Sequence, residues 1–441
     1  MRASRSLTTL IAAAATAAAL AGQDMLPAAA LAVPAALLWV AAAPAVPGDG
    51  SSCAHPGYQR IQSAVNAAPA GATIRVCPGS YAEQLQITTP LSIVGIGQPA
   101  VSLPASPVSS TTACDKAASQ GTPARPDQDG IVICGPVTVS LTGLTVHAAW
   151  AGGTCAGSRY GILVAGGATL KLSDSAVTAA GEQSISTCES GGIGIQAGLA
   201  WTAPVEAAHL DLRDSAVRGY QKNGITIDGT GSTADITRAI VTGGGATPEI
   251  AQNGIQVSNG ARARITASTV TGNECNAVPE CGPDSLTETQ SAGLLFYGAA
   301  AGSEVTDSTI RGNDIGVYYL ADQKAGPLSG PAVKVINDSL VSDRYESVLL
   351  DQGRSEVDGD TMTGGDVGIR VLQYAGQSLG PDSVARGDQI TGMTAAAVQV
   401  ESDQAASSDH RGSFLIADSE IGSGPVQDDS SNITVTQRHD H

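Results

Sequence analysis

A five-residue phrase recurs ten times along this chain, and it restricts the fold more than any other feature. It reads GIVIC at 130, GILVA at 161, GIGIQ at 192, GITID at 224, GIQVS at 254, GLLFY at 293, GVYYL at 316, SVLLD at 347, GIRVL at 368 and AVQVE at 397. The second and fourth residues are apolar in every copy, from Ile131/Ile133 to Val398/Val400. Strict period two marks a strand with one buried face. A second phrase follows the later copies: SDSAV (173), RDSAV (213), TRAIV (237), TASTV (266), TDSTI (306), NDSLV (337), DGDTM (358) and ADSEI (417). Most copies lie 21–32 residues apart, with wider gaps where loops are inserted. So short a unit cannot bury its own apolar strip, so it must stack on its neighbours.

Two alternating strands per unit, joined by glycine turns without a helix, exclude a βαβ sheet. Propeller blades need about 40 residues or more. A solenoid of parallel strands remains, one coil per repeat, with coils about 4.8 Å apart. Ten to twelve coils make a rod on the order of 50–60 Å long. Its open ends need covering. Residues 60–68, RIQSAVNAA, predict a short amphipathic helix with Ile61, Ala64, Val65 and Ala68 on one face, placed to act as a lid. Composition agrees: 53 glycines and 3% aromatics suit a turn-rich β fold and not a helical one. The net charge of −18 argues against nucleic acid as a partner.

Residues 1–22 read as a signal peptide, with Arg2 and Arg5 ahead of an apolar run over 7–20 and Ala19-Leu20-Ala21 as a cleavage site. Residues 23–56 are Ala/Pro-rich. Within them, 25–46 extend the apolar character, so that cleavage near Ala43 or Ala45 is the alternative; Pro27, Pro34 and Pro44 argue against a membrane helix. The β domain is expected over 57–422 and a tail over 423–441. Eight cysteines fit an exported, disulfide-bonded protein, and a monomer is expected. Zinc is disfavoured because no C-x2-C spacing occurs. Placed on the repeat, the cysteines pair as Cys155–Cys188 on adjacent coils, Cys275–Cys281 within one inserted loop, Cys53–Cys77 between cap and first coil, and Cys114–Cys134 at the long loop 99–129.

The segment IQSAVNAAPAGATIRVCPGSYAEQLQITTPLSIVGIG (61–97) resembles the opening of pectinesterase-like and NosD-like proteins, and the later copies resemble that superfamily's β-helix repeat. The resemblance covers roughly 57–422. It implies the right-handed, pectin-lyase-like parallel β-helix and extracellular polysaccharide as the usual substrate class. The DFIFG-type and LGRPW-type segments of pectinesterases are missing, as are the NTD, DD and GHG segments of polygalacturonases. No family catalytic residue therefore carries over, and whether the chain is an enzyme stays open.

Candidate chemistry comes from copies whose outward positions break the pattern. Leu295, Tyr297, Tyr318, Leu320, Leu349, Asp351, Arg370, Leu372, Gln399 and Glu401 should project from one face over five coils. Apolar and aromatic residues outside a solenoid form either a ligand groove or the seat of a loop, with 320–331 and 372–383 available to fold over them. The groove reading assigns Leu295, Tyr297, Tyr318, Leu320, Leu349, Arg370 and Leu372 to ligand contact. Phe296 and Tyr319 face inward. Two sets of charges are candidate catalytic groups, Arg370 with Asp351 and Glu401, and Arg218 with Lys222 and Asp228. Asp174, Asp214, Asp307, Asp338 and Asp418 recur at one turn, which points to a structural carboxylate in preference to calcium. No cofactor is expected. The outward charges Lys171, Asp211, Asp235, Arg264, Glu304, Lys334 and Glu356 read as cross-coil ion pairs, given one extra residue in the Lys334 copy. Two functions follow: a protein that binds or processes polysaccharide, or a non-catalytic structural or cell-surface solenoid.

Overall fold

The computed structural model describes residues 36–43, 48–106, 113–114, 129–150, 159–182, 192–247, 251–276, 280–284, 287–321, 332–373, 381–402, 411–422 and 424–439. The signal-peptide reading of 1–22 and the Cys155–Cys188 pair lie outside these residues.

Three parallel sheets wrap one apolar core as a right-handed parallel β-helix. The phrase strands, Leu85–Ile87 through Val426–Asp429, form a sheet of 12. A sheet of 14 runs from Leu37–Val40 to Ile433–Arg438, and a third, of 12, from Ser80–Ala82 to Glu420–Ile421. Each coil visits the phrase sheet, then the second sheet, then the third. One coil, for example, is Asn223–Asp228, Thr233–Thr237 and Ile240–Thr247. The third strand is not apparent in the sequence because it is short, often three residues, as in Thr309–Arg311.

Glycine opens the phrase for a reason of spacing. A Cβ at Gly161 would sit 2.5 Å from the Gly194 carbonyl oxygen, and one at Gly254 would sit 2.5 Å from that of Gly293. Backbones of adjacent coils approach too closely here for a side chain. The same column corrects one copy. Ile162 pairs with Ile195 and Val164 with Ala197. The phrase at 192 therefore starts at Gly194, its core pair is Ile195/Ala197, and Ile193 lies outside the central core.

The second and third sheets meet at a one-residue left-handed corner. Asp174, Asp214, Arg238, Ala267, Asp307, Asn337 and Asp418 occupy it, with φ from 49° to 56°. Aspartate and asparagine tolerate this conformation better than most residues, which explains their recurrence. Asp338 is different. It aligns with Ser308, one position further on, and Asn337 takes the corner. With that register Lys334 falls in line between Glu304 and Glu356, and no extra residue is needed. The charges on this outer face do pair across coils, Arg264 with Glu304 at 3.2 Å and Lys334 with Glu356 at 2.7 Å.

The residue after the corner is buried, and its side chain accepts the backbone N–H of the preceding coil. Ser308 Oγ accepts from Ser268 at 3.1 Å, Asp338 from Ser308 at 2.6 Å, Asp360 from Asp338 at 2.6 Å and Asp388 from Asp360 at 2.9 Å. Three consecutive coils thus use aspartate where most others use serine, the Arg238 coil having Ala239 there. Burial pushes the Asp338 and Asp388 carboxyls up to about 7 and that of Asp360 to about 9.

The helix forms at Ile61–Ala67 and buries Ile61, Ala64 and Val65. The buried Glu83 carboxylate holds its start, accepting from Ile61 N at 2.9 Å and Gln62 N at 3.0 Å. The solenoid exceeds 57–422 at both ends. Leu37–Val40 pairs with Ala72–Val76, Val40 is buried, and Arg75 stacks over Trp39 at 5.1 Å. Apolar Leu-Leu-Trp-Val is thus a core rung inside the Ala/Pro-rich segment. At the other end, Val426–Asp429 and Ile433–Arg438 continue two of the sheets, with Ile433 buried.

Candidate functional site

The register aligns the outward residues in two columns, as their repeat spacing requires. Leu295, Tyr318, Leu349, Arg370 and Gln399 are consecutive partners in one, and Tyr297, Leu320, Asp351, Leu372 and Glu401 in the other. Burial divides them. Tyr297 is 49% exposed, and Leu295, Tyr318, Leu320, Arg370, Gln399 and Glu401 are partly exposed. Leu349, Asp351 and Leu372 are buried. Leu349 and Leu372 belong to an outer apolar cluster with Ala292 and Ile315, and Leu295 and Tyr318 pack against it. The two leucines are therefore core of this outer cluster, and the accessible part of the predicted ligand set is Leu295, Tyr297, Tyr318, Leu320 and Arg370. The loops invoked to cover this face fall mostly at 322–331 and 374–380, outside the described residues.

An inserted segment lies near this face. Asp314 fastens both of its ends, accepting from Cys275 N at 2.7 Å and from Ser291 N at 3.0 Å. Arg344 supports that clasp, 3.4 Å from Asp314 and donating to the Cys275 carbonyl at 3.1 Å. Between the clasped ends, Asp284 adds slightly to the burial that raises the Glu401 carboxyl, and Glu288 to the burial that raises the Tyr345 phenol.

Arg370 is paired, not poised. Its Nε lies 3.1 Å from Glu346, whose side chain is fully buried, and its Nη1 lies 3.5 Å from Glu401. Glu401 also accepts from Gln399. Burial holds the Glu401 carboxyl above its usual range; Arg370 opposes that shift, while Asp429 and Asp284 add to it. Burial raises the inward Tyr319 phenol, and buried Asp351 adds to that shift. The partner that the sequence did not reveal is Glu346. It precedes the phrase SVLLD, at a position that is apolar in the neighbouring coils, Ile315 and Val367.

The second set of charges does not assemble. Lys222 precedes the strand Asn223–Asp228 and Asp228 ends it, so six residue steps, about 20 Å of extended chain, separate them. Lys222 donates to the Ala251 carbonyl at 2.8 Å, and Arg218 is exposed on the third sheet. Buried Asp228 accepts three hydrogen bonds, from Ala200 N at 2.9 Å, Ser258 Oγ at 2.9 Å and Asn259 Nδ2 at 2.7 Å. It is a structural clamp. Its bond to Ala200 secures a hairpin over 199–206 that exposes Trp201 by 41% and Val205 by 39%. Trp201 lies in an insertion between repeats, so no repeat position draws attention to it.

Three expected disulfides form, Cys53–Cys77, Cys114–Cys134 and Cys275–Cys281, with Cα atoms 5.7, 5.8 and 5.8 Å apart. Among the described residues no group of His, Cys, Asp or Glu is arranged to hold a metal, and no helix is long and apolar enough to cross a membrane.

These features define a three-sheet parallel β-helix. No family model and no curated protein matches the chain. Solved structures do. A pectate lyase, Pel9A, is 13% identical with a TM-score of 0.45, covering 90% of this chain and 78% of its own. The A-module of the Azotobacter vinelandii mannuronan C-5 epimerase AlgE4 is 14% identical, TM-score 0.46, covering 85% and 94%. The periplasmic alginate epimerase AlgG is 12% identical, TM-score 0.48, covering 86% and 83%. The likeness is one of fold alone.

Proposed function

We propose that this is a secreted protein that binds an extracellular polysaccharide on the outer face of its phrase sheet, around Leu295, Tyr297, Tyr318 and Leu320. One observation carries the reading. Tyr297 stands 49% exposed at the end of a column whose neighbouring coil adds Leu320, beside Leu295 and Tyr318. Large apolar groups normally leave the outside of a solenoid, and rings held on a rigid sheet suit stacking against sugar faces. Binding is favoured over turnover because Arg370 is already neutralised by Glu346 and Glu401. The disulfides agree with an oxidising compartment.

A glycan array probed with the full chain tests this reading. At least one polysaccharide class should bind, and Tyr297→Ala and Tyr318→Ala should each weaken it. Binding unchanged in both variants would remove this face from consideration. The second reading, a structural solenoid, draws on Leu349 and Leu372, which close the centre of the face. It predicts no glycan binding at all.

A further inference from the structure

Two observations bear on which polysaccharide this face would take. The first is charge. Arg370 is the one cation in the two outward columns from Leu295 to Glu401, and it sits between Glu346 and Glu401 at 3.1 and 3.5 Å. Asp351 occupies the same columns, Asp429 extends them by one coil, and Asp284 approaches Glu401 from the inserted segment. Carboxylates outnumber the single guanidinium on these coils, so a polymer carrying a carboxylate on each sugar would meet repulsion wherever it continued past Tyr297 along the sheet.

The second is the placement of aromatic rings. Trp201 follows the strand Ile193–Ala197, on the hairpin pinned to Asp228, and Tyr297 ends the strand Ala292–Tyr297 of the same sheet. Both lie at the C-terminal edge of that sheet. The intervening register is continuous: Ala197 pairs with Ile227, Ile227 with Val257 and Val257 with Phe296. Three coil steps, about 14 Å along the axis, separate the strand that leads into the Trp201 hairpin from the strand that ends in Tyr297. Trp201, Val205 and Tyr297 are three of the five large hydrophobic residues that are well exposed among the described residues. Their occurrence along one edge gives the surface a direction, parallel to the solenoid axis.

We propose that the ligand is an extended neutral polysaccharide lying along this edge, with Tyr297 as one stacking platform and Trp201 as a second. This rests on the polysaccharide-binding reading above. A single sugar reaches one ring only, whereas a chain of several units spans both, so affinity should rise with length.

The test is titration of the full chain at physiological ionic strength with soluble neutral glucan and galactomannan, and with polygalacturonate and alginate of matched length. Wild type, Trp201→Ala and Tyr297→Ala are compared. Trp201 is exposed on a surface hairpin, and thermal melts check that its variant stays folded. The proposal expects a neutral polymer to bind at least tenfold more tightly than either polyuronate. It also expects Trp201→Ala to weaken that binding at least fivefold. Preference for a polyuronate, lost in Tyr297→Ala, would overturn the neutral class and leave the face as a binding site. Neutral binding lost in Tyr297→Ala but unchanged in Trp201→Ala would overturn the second platform. Failure of all four polymers to bind would overturn the polysaccharide reading itself, and this proposal with it.

Discussion

Glu346 Oε1 lies 3.1 Å from Nε of Arg370, and the glutamate side chain has no exposure at all. A buried carboxylate needs its cation, because the desolvation cost is recovered only through the pair. Glu346→Ala should destabilise the protein by about 3 kcal/mol by leaving the guanidinium short of one partner. Chemical denaturation of the variant beside wild type measures it. A cost below about 1 kcal/mol would show that Glu401 alone satisfies Arg370.

The close contact between coils makes a second prediction. Gly254→Ala places a Cβ 2.5 Å from a carbonyl oxygen of the next coil. Backbone cannot yield as a flexible side chain can, so the strands must separate locally. A loss of about 1–3 kcal/mol is expected, the usual cost of overpacking. Thermal melting checks it, and an unchanged midpoint would mean the column has slack.

Acid should stabilise this protein. Asp338, Asp360 and Asp388 are buried on consecutive coils, with carboxyls raised to about 7, 9 and 7. Asp343, at another corner, is also raised to about 7. The folded state holds these protons between about pH 4, where unfolded aspartate titrates, and pH 7–9. Unfolding releases them in that window, so stability is full below about pH 4 and falls as pH rises through 7 to 9. The melting temperature should be several degrees higher at pH 5 than at pH 9. Asp360→Ser, which installs the residue other coils use at this position, should flatten the slope. A melting temperature that rises from pH 5 to 9 would contradict the ladder's role.

The first rung limits where a leader could be cut without loss of a strand. Val40 is buried, and its carbonyl accepts from Cys77 N at 2.9 Å, while the Trp39 carbonyl accepts from Gly57 N at 3.0 Å. Cleavage near Ala43 or Ala45 would strip this strand and uncover Ala72–Val76. If a leader is removed on export, as proposed, N-terminal sequencing of the mature protein should give a start before Ala36. A start at Pro44 or later would show that the strand is dispensable.

Much of this architecture is legible in the sequence because the apolar pairs of each phrase must face one core. That alone sets the coil and the outward columns, and it places Leu295 beside Tyr318 before any coordinates exist. What failed did so for local reasons. GIGIQA offers two period-two registers, and only the close approach of Gly194 to its neighbours selects one. NDSLV resembles TDSTI by letter, yet the conformation at Asn337 shifts it by one. The candidate site was less legible. Glu346 hides at a position apolar in neighbouring coils, Trp201 sits in an insertion, and Arg218, Lys222 and Asp228 are near in sequence but divided between the third sheet and the two ends of a phrase strand.

The central claim is that polysaccharide is held on the phrase sheet around Tyr297 and Tyr318. Hydrogen–deuterium exchange of the full chain, with and without a bound polysaccharide, tests it most directly. The account predicts added protection over 292–297 and 315–320, falling away on the third sheet at 309–311 and 339–341. Protection confined to the second or third sheet, with none over 292–320, would contradict it.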